Sequence, residues 1–282
     1  MVEIRSLNLP DGRALQYYDA TPGARDALPV IYHHGSPNIG EPPVPLFNAA
    51  GERGLRWLGY DRPGYGGSTR APGRTIADAA ADTMAVADGA GIGRFAVLGH
   101  SGGGAHALAC AALAPERVIA AVSISGLAPW GSPGLDYFAG INEGGEAELR
   151  AASEGADVLA AHLETAEFDA SMFIDSDWDA LKTDWAWFNS VVERAEPSGS
   201  GPFIDDDVAS VSPWGFQPAA IQIPTLLMHG TADRVVPVTH ARWLAVNIEG
   251  ANLLEVDQAG HISVMRRATE ALDWIASVAA TF

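Results

Sequence analysis

The chain has 282 residues, 48% of them apolar, and a formal net charge of −18 at pH 7. Its length allows a large core in one compact unit plus an insertion. The acidic balance argues against nucleic acid as a partner, and no run approaches the ~18 uninterrupted apolar residues of a membrane span.

From the N-terminus, residues 2–9 and 14–19 flank Asp11-Gly12, which signals a hairpin. Strand-like runs are expected at 30–32, 56–60, 95–98, 118–124, 223–228 and 252–256, and helical stretches at 76–90, 105–113, 239–248 and 263–278. Alternating strands and helices with apolar strands predict an α/β fold, a mainly parallel eight-stranded sheet covered on both faces. Leu127 to Pro218 breaks this rhythm and is too long for a simple connection. It holds 18 Asp and Glu against Arg150, Lys182 and Arg194, a net of −15, while the rest of the chain contributes only −3. The division expected is therefore core 1–126, a helical cap 127–218 and core 219–282. Of the cap's aromatic side chains, Trp130, Tyr137, Trp185 and Phe188 are expected to reach a substrate pocket. Its acidic surface repels anionic partners and also serves solubility.

The densest signal is Val97-Leu98-Gly99-His100-Ser101-Gly102-Gly103-Gly104. An apolar strand breaks at Gly99, places one hydroxyl at Ser101 and resumes as an alanine-rich helix. This is the G-x-S-x-G elbow between a strand and a helix, which needs small neighbours and aims helix N–H groups at the hydroxyl. Two partners follow in the order this geometry uses. Asp233 lies just past the 223–228 run, and His261 follows the 252–256 run. A serine hydroxyl becomes a useful nucleophile when an imidazole takes its proton, and a carboxylate fixes that imidazole's tautomer. The oxyanion needs backbone donors. Gly102 supplies one, and Ser36, in His33-His34-Gly35-Ser36-Pro37, supplies the other, because Pro37 has no N–H.

Other residues compete for attention. Asp257, four residues before His261, is an alternative acid. The run Asp205-Asp206-Asp207 reads as a solvated loop before a short helix, with no histidine or cysteine nearby to suggest a metal. His34 is a possible neighbour of the site, and His106 is expected to pack. The His100 side chain is expected on the side opposite Ser101. Cys110, the single cysteine, cannot form an internal disulfide and sits among alanines as a buried, inert thiol. The start Met1-Val2-Glu3-Ile4-Arg5 lacks a secretory h-region, and a cytoplasmic location is expected.

On His34-Gly35-Ser36-Pro37, Asp61-Arg62-Pro63-Gly64-Tyr65-Gly66-Gly67-Ser68, the elbow, Asp233 and Gly260-His261, the chain resembles the α/β-hydrolase superfamily, in particular the actinobacterial-type enzymes with an inserted cap. The resemblance spans the core and not the middle. It implies the triad Ser101, Asp233 and His261, the oxyanion loop, and no cofactor. The activity expected is a serine esterase acting through an acyl-enzyme on a neutral, fairly apolar small molecule. An amidase, a carbon–carbon bond hydrolase, a perhydrolase or an acyltransferase would use the same three groups. Epoxide hydrolase and haloalkane dehalogenase relatives carry aspartate at the elbow, against Ser101 here. Outside enzymes, the alternative is a ligand-binding protein on this scaffold, with no membrane or nucleic-acid partner.

Overall fold

The computed structural model describes residues 2–281. The N-terminal hairpin pairs β1 (Glu3–Asn8) with β2 (Ala14–Asp19) in antiparallel register, closing at Asn8 opposite Ala14. After β3 (Leu28–His33), α1 (Phe47–Glu52) leads to β4 (Leu55–Tyr60), and α2 (Asp78–Gly89) leads to β5 (Phe95–His100). Then come α3 (Gly102–Leu113) and β6 (Val118–Ile124). The eight strands run in the order β1-β2-β4-β3-β5-β6-β7-β8, with β7 at Thr225–Gly230 and β8 at Asn252–Val256. Only β2 runs against the other strands, so its pairings with β1 and β4 are antiparallel and all others are parallel. The chain thus adopts an α/β architecture with a mostly parallel sheet.

Central strands are buried on both faces, and successive residues serve opposite faces because side chains alternate along a strand. Leu98 and Met228 pack with Leu272 and Ile275 of α10 (Ala268–Ala279), while Val97 and Leu227 pack with Leu108 of α3 and Leu244 of α9 (Thr239–Asn247). Several boundaries shift by a few residues from expectation, three of them in the elements that flank Ser101, Asp233 and His261. β7 starts at Thr225 rather than 223, because Pro224 has no N–H for the ladder. α3 begins at Gly102, directly after the elbow. The last helix is preceded by a 3-10 turn at Ser263–Arg267.

Every regular element described between β6 and β7 is helical: α4 (Glu143–Glu154), α5 (Ala156–Leu163), α6 (Asp175–Lys182), α7 (Trp187–Ala195), α8 (Gly201–Ser210) and short 3-10 turns. This segment shares its apolar contacts with the sheet layers. Phe188 and Val191 cluster with Leu98 and Met228, and Leu149 and Ile204 cluster with Ile76, Ala105 and Val236. The Asp205–Asp207 run is not a solvated loop. It lies inside α8, and all three side chains are buried. Arginines of the core, absent from the local sequence, pair with the first two and so make that burial possible. No helix among the described residues is long and apolar enough to cross a membrane.

Candidate active site

Ser101 stands between β5 and α3 with φ 56° and ψ −129°. A non-glycine residue held there costs on the order of 1–3 kcal/mol, which the surrounding packing must offset. Two close approaches fix the turn. A Cβ on Gly99 would lie 1.9 Å from the Gly103 carbonyl oxygen, and one on Gly103 would lie 2.0 Å from that of His33. The Ser101 N–H donates to the Ile124 carbonyl at 2.9 Å, tying the elbow to β6.

Past the end of β7, Asp233 accepts at Oδ1 from the N–H groups of Val235 and Val236, both at 2.9 Å. Its Oδ2 accepts from His261 Nδ1 at 2.8 Å. Burial pushes the Asp233 carboxyl up, but the facing His261 outweighs it and holds the group below the ordinary carboxylate range. For His261, burial disfavours charge, and the Asp233 carboxylate overcomes it, raising the imidazole above its ordinary value of 6.5. With Nδ1 committed, Nε2 is the nitrogen left to take a proton. Asp257 is engaged elsewhere, accepting from Thr231 Oγ1 at 3.3 Å.

His261 is braced from two directions that its own neighbourhood in the chain does not announce. Asp177, on α6, accepts from the N–H groups of His261, Ile262 and Ser263 and from Ser263 Oγ at 2.7–3.2 Å. His100 donates from Nε2 to the His261 carbonyl at 2.9 Å, and the two rings stand 5.0 Å apart. His100 also lines the cavity beside Ser101, contrary to the expectation that it points away. The alternation of a strand ends at the elbow, where the positive φ of Ser101 redirects the chain.

The loop after β3 is held by a buried ionic knot. Asp206 of α8 accepts from Ser36 Oγ at 2.5 Å, Arg62 Nη2 at 2.7 Å, Arg74 Nη2 at 2.6 Å and Tyr65 OH at 3.0 Å. Arg62 also donates to the carbonyls of His34 and Gly35. Burial would raise the Asp206 carboxyl, but Arg62 and Arg74 hold it well below the carboxylate range. A Cβ on Gly102 would lie 3.2 Å from Ser36 Oγ, so the two residues expected to supply oxyanion donors are close neighbours. His34 donates from Nδ1 to the Gly35 carbonyl and accepts at Nε2 from the Arg62 N–H, so both ring nitrogens serve the loop. His106 is buried, as is Cys110, whose thiol burial pushes up to about 12.

Two cavities meet at Ser101. One, of about 510 Å³, is bounded by Ser101, His261, Phe168, Met172, Trp178 and Phe188. The other, of about 500 Å³, carries Ser36, Ser101, Gly102, Glu148 and Asp207. Of the four aromatics expected at the pocket, Phe188 lies on the first cavity. Trp185 is buried behind it at 5.6 Å. Tyr137 is buried against His240, and Trp130 lines a separate hollow with Trp214 and Trp243. Met172 and Trp178 line the cavity instead, with Phe168 on its outer side and 69% exposed; a composition rich in aromatics carries no signal for which rings reach a cavity. Among the described residues no group of three or more His, Cys, Asp or Glu is spaced to hold a metal ion.

A family model described as the alpha/beta hydrolase fold matches residues 29–268. The chain therefore belongs to the alpha/beta hydrolase family. It is similar to a non-heme haloperoxidase of Rhodococcus erythropolis, 26% identical over 257 residues that cover 84% of this chain and 85% of that protein. Over 121 residues, 42% of this chain and 43% of the relative, it is 34% identical to a non-heme chloroperoxidase of Streptomyces lividans. Among solved structures, the enol-lactonase of Burkholderia xenovorans superposes with a TM-score of 0.71 at 21% identity, covering 98% of this chain and 100% of that one. A thermophilic esterase of Thermogutta terrifontis gives 0.69 at 20% identity, covering 98% and 99%. At such identities these structural likenesses speak to the fold.

Proposed function

We propose that the protein is a serine hydrolase that cleaves a carboxylic ester of a small molecule with a fairly apolar arm. The observation that carries this reading is the 2.8 Å bond from His261 Nδ1 to Asp233 Oδ2, with His261 and Ser101 bounding one cavity. In the reaction, Ser101 Oγ attacks the ester carbonyl while His261 Nε2 takes its proton. Asp233 stabilises the imidazolium without becoming protonated. The backbone N–H groups of Gly102 and Ser36 receive the oxyanion, each worth about 3–4 kcal/mol by comparison with other such donors. As the tetrahedral adduct collapses, His261 returns the proton to the departing alcohol. A water molecule, deprotonated by the same imidazole, then releases the acid and restores Ser101. The inserted helices, in the role of a cap over residues 127–218, supply Phe168, Met172, Trp178 and Phe188 as the wall for the apolar arm.

A second reading has its footing in the relatives named non-heme haloperoxidase. There hydrogen peroxide takes the place of water on the same acyl-enzyme and leaves as a peracid. Both readings pass through an acylated Ser101, and a fluorophosphonate probe tests that step. Wild-type protein should be labelled at Ser101 and the Ser101→Ala variant should stay unlabelled. Equal labelling of the two would remove serine from the mechanism. Product analysis with and without peroxide then separates acid from peracid.

A further inference from the structure

The two cavities that meet at Ser101 both carry carboxylates, Glu193 and Glu196 in one and Glu148 and Asp207 in the other, and of these four only Asp207 is buried. The one on the Gly102 side has a wall of acceptors. Glu148 of α4 and Asp207 of α8 meet there carboxyl to carboxyl. Asp207 is only 8% exposed, and its Oδ2 has no hydrogen-bond partner. Asn142 stands on the same wall; its amide nitrogen donates to Asp169 Oδ2 at 2.9 Å, and its Oδ1 is unpartnered.

The neighbouring carboxylates of α8 show how unusual this is. Asp205 pairs with Arg70 and Arg74, and Asp206 with Arg62 and Arg74. Successive residues on a helix point about 100° apart, so Asp207 faces away from those arginines and toward the cavity. Among the described residues no ion pair reaches Asp207 or Glu148. Burial pushes both carboxyls up, and for Asp207 the charges of Glu148 and Asp206 add to it. A buried carboxyl without a basic partner destabilises the fold. Asp207, with the half-buried Glu148 against it, is such a group beside the nucleophile, and a donor that arrives with the substrate compensates it.

We propose that this cavity is a subsite for a protonated amine on one arm of the substrate, held between Asp207 and Glu148, while the other arm fills the apolar cavity. The ammonium donates to both carboxylates, and Asn142 Oδ1 is available as a third acceptor. This rests on the serine-hydrolase reading and replaces a wholly neutral substrate by one with a single charged arm.

The test uses two series of esters. In one, 4-nitrophenyl esters carry ω-ammonium acyl chains of rising length. In the other, butanoate esters carry ω-ammonium alcohols. Each is compared with a neutral isostere of equal length, and the series that responds tells which arm enters the subsite. In one series the wild type should prefer the ammonium member by about tenfold in kcat/KM, expressed in KM, as expected of a charge-assisted contact. Asp207→Asn and Glu148→Gln should each bring that ratio towards unity. Preference for the neutral member in both series at every length, or a preference that survives both substitutions, overturns the proposal. Should the variants fail to fold, calorimetric binding of an ω-ammonium alcohol and its neutral isostere to Ser101→Ala decides instead. Equal or absent binding of the two also overturns it. Fluorophosphonate labelling of the same wild-type preparation separates the two failures: no label refutes the serine mechanism, whereas label without ammonium preference refutes only the subsite.

Discussion

The strand ends of the core and the helices inserted between β6 and β7 contribute to one site by different means. In the core, each chemical group sits on a turn whose shape is dictated locally. Ser101 is held by Gly99 and Gly103, and Asp233 by the N–H groups of Val235 and Val236 two and three residues on. In the insertion, function depends on which face of a helix meets the core. Asp205, Asp206 and Asp207 are consecutive and chemically identical. The first anchors the surface arginine Arg70, the second knots the loop of Ser36, and the third lines the cavity. Local turns make residues legible one at a time; helical faces make them legible only after docking.

The largest effect that would break this comparison is expected at the acid. Asp233→Asn should reduce kcat by about 10⁴-fold with the fold intact, by analogy with other triads. If Asp257→Asn produced that loss instead, the acid would belong to the turn after β8. A companion measurement is the pH profile. In the proposed mechanism the neutral imidazole is the active base, so kcat/KM should fall as pH drops through the His261 ionisation, with its midpoint above 6.5. Because the Asp233 carboxylate causes the upward shift, any residual activity of Asp233→Asn should titrate at lower pH than the wild type. A flat profile between about pH 5 and 9 would contradict the assignment of His261.

Next in size is the ionic knot between the two regions. Arg62 and Asp206 are both buried, so Arg62→Ala leaves Asp206 with Arg74 as its remaining basic partner and, through the lost charge-assisted bonds, should cost about 1.5–3 kcal/mol in urea denaturation. The same substitution frees the Ser36 loop, so kcat should fall further than KM rises. A loss below about 1 kcal/mol would mean that the insertion docks without help from this pair. The smallest effects sharpen the assignment of aromatics. Phe188→Ala should lower kcat/KM by about tenfold for esters with long acyl chains relative to acetate. Trp130→Ala, in a separate hollow, should leave that ratio within about twofold. Equal effects at both positions would mean that the apolar arm lies elsewhere.

Much of the fold could be read in the chain, because a strand buried on both faces is apolar throughout and a parallel sheet alternates such runs with helices. The eight strands, the elbow at Ser101, and the positions of Asp233 and His261 past their strands all come from spacing that local backbone geometry imposes. The misreadings came where burial is conferred by distant partners. Asp205 and Asp206 look solvated until Arg62, Arg70 and Arg74 arrive from more than a hundred residues away. Asp177 looks like any acid on a helix surface until the His261 turn presents it with N–H groups. Trp130 and Trp185 differ from Phe188 only in where their helices and loops come to rest. Sequence determined the architecture and the strand ends on which Ser101, Asp233 and His261 sit, since those follow from local sterics and chain order. The tertiary structure alone decided which carboxylates are neutralised, which are left without a basic partner and which rings line the cavity, because those depend on packing between segments that carry no local record of each other.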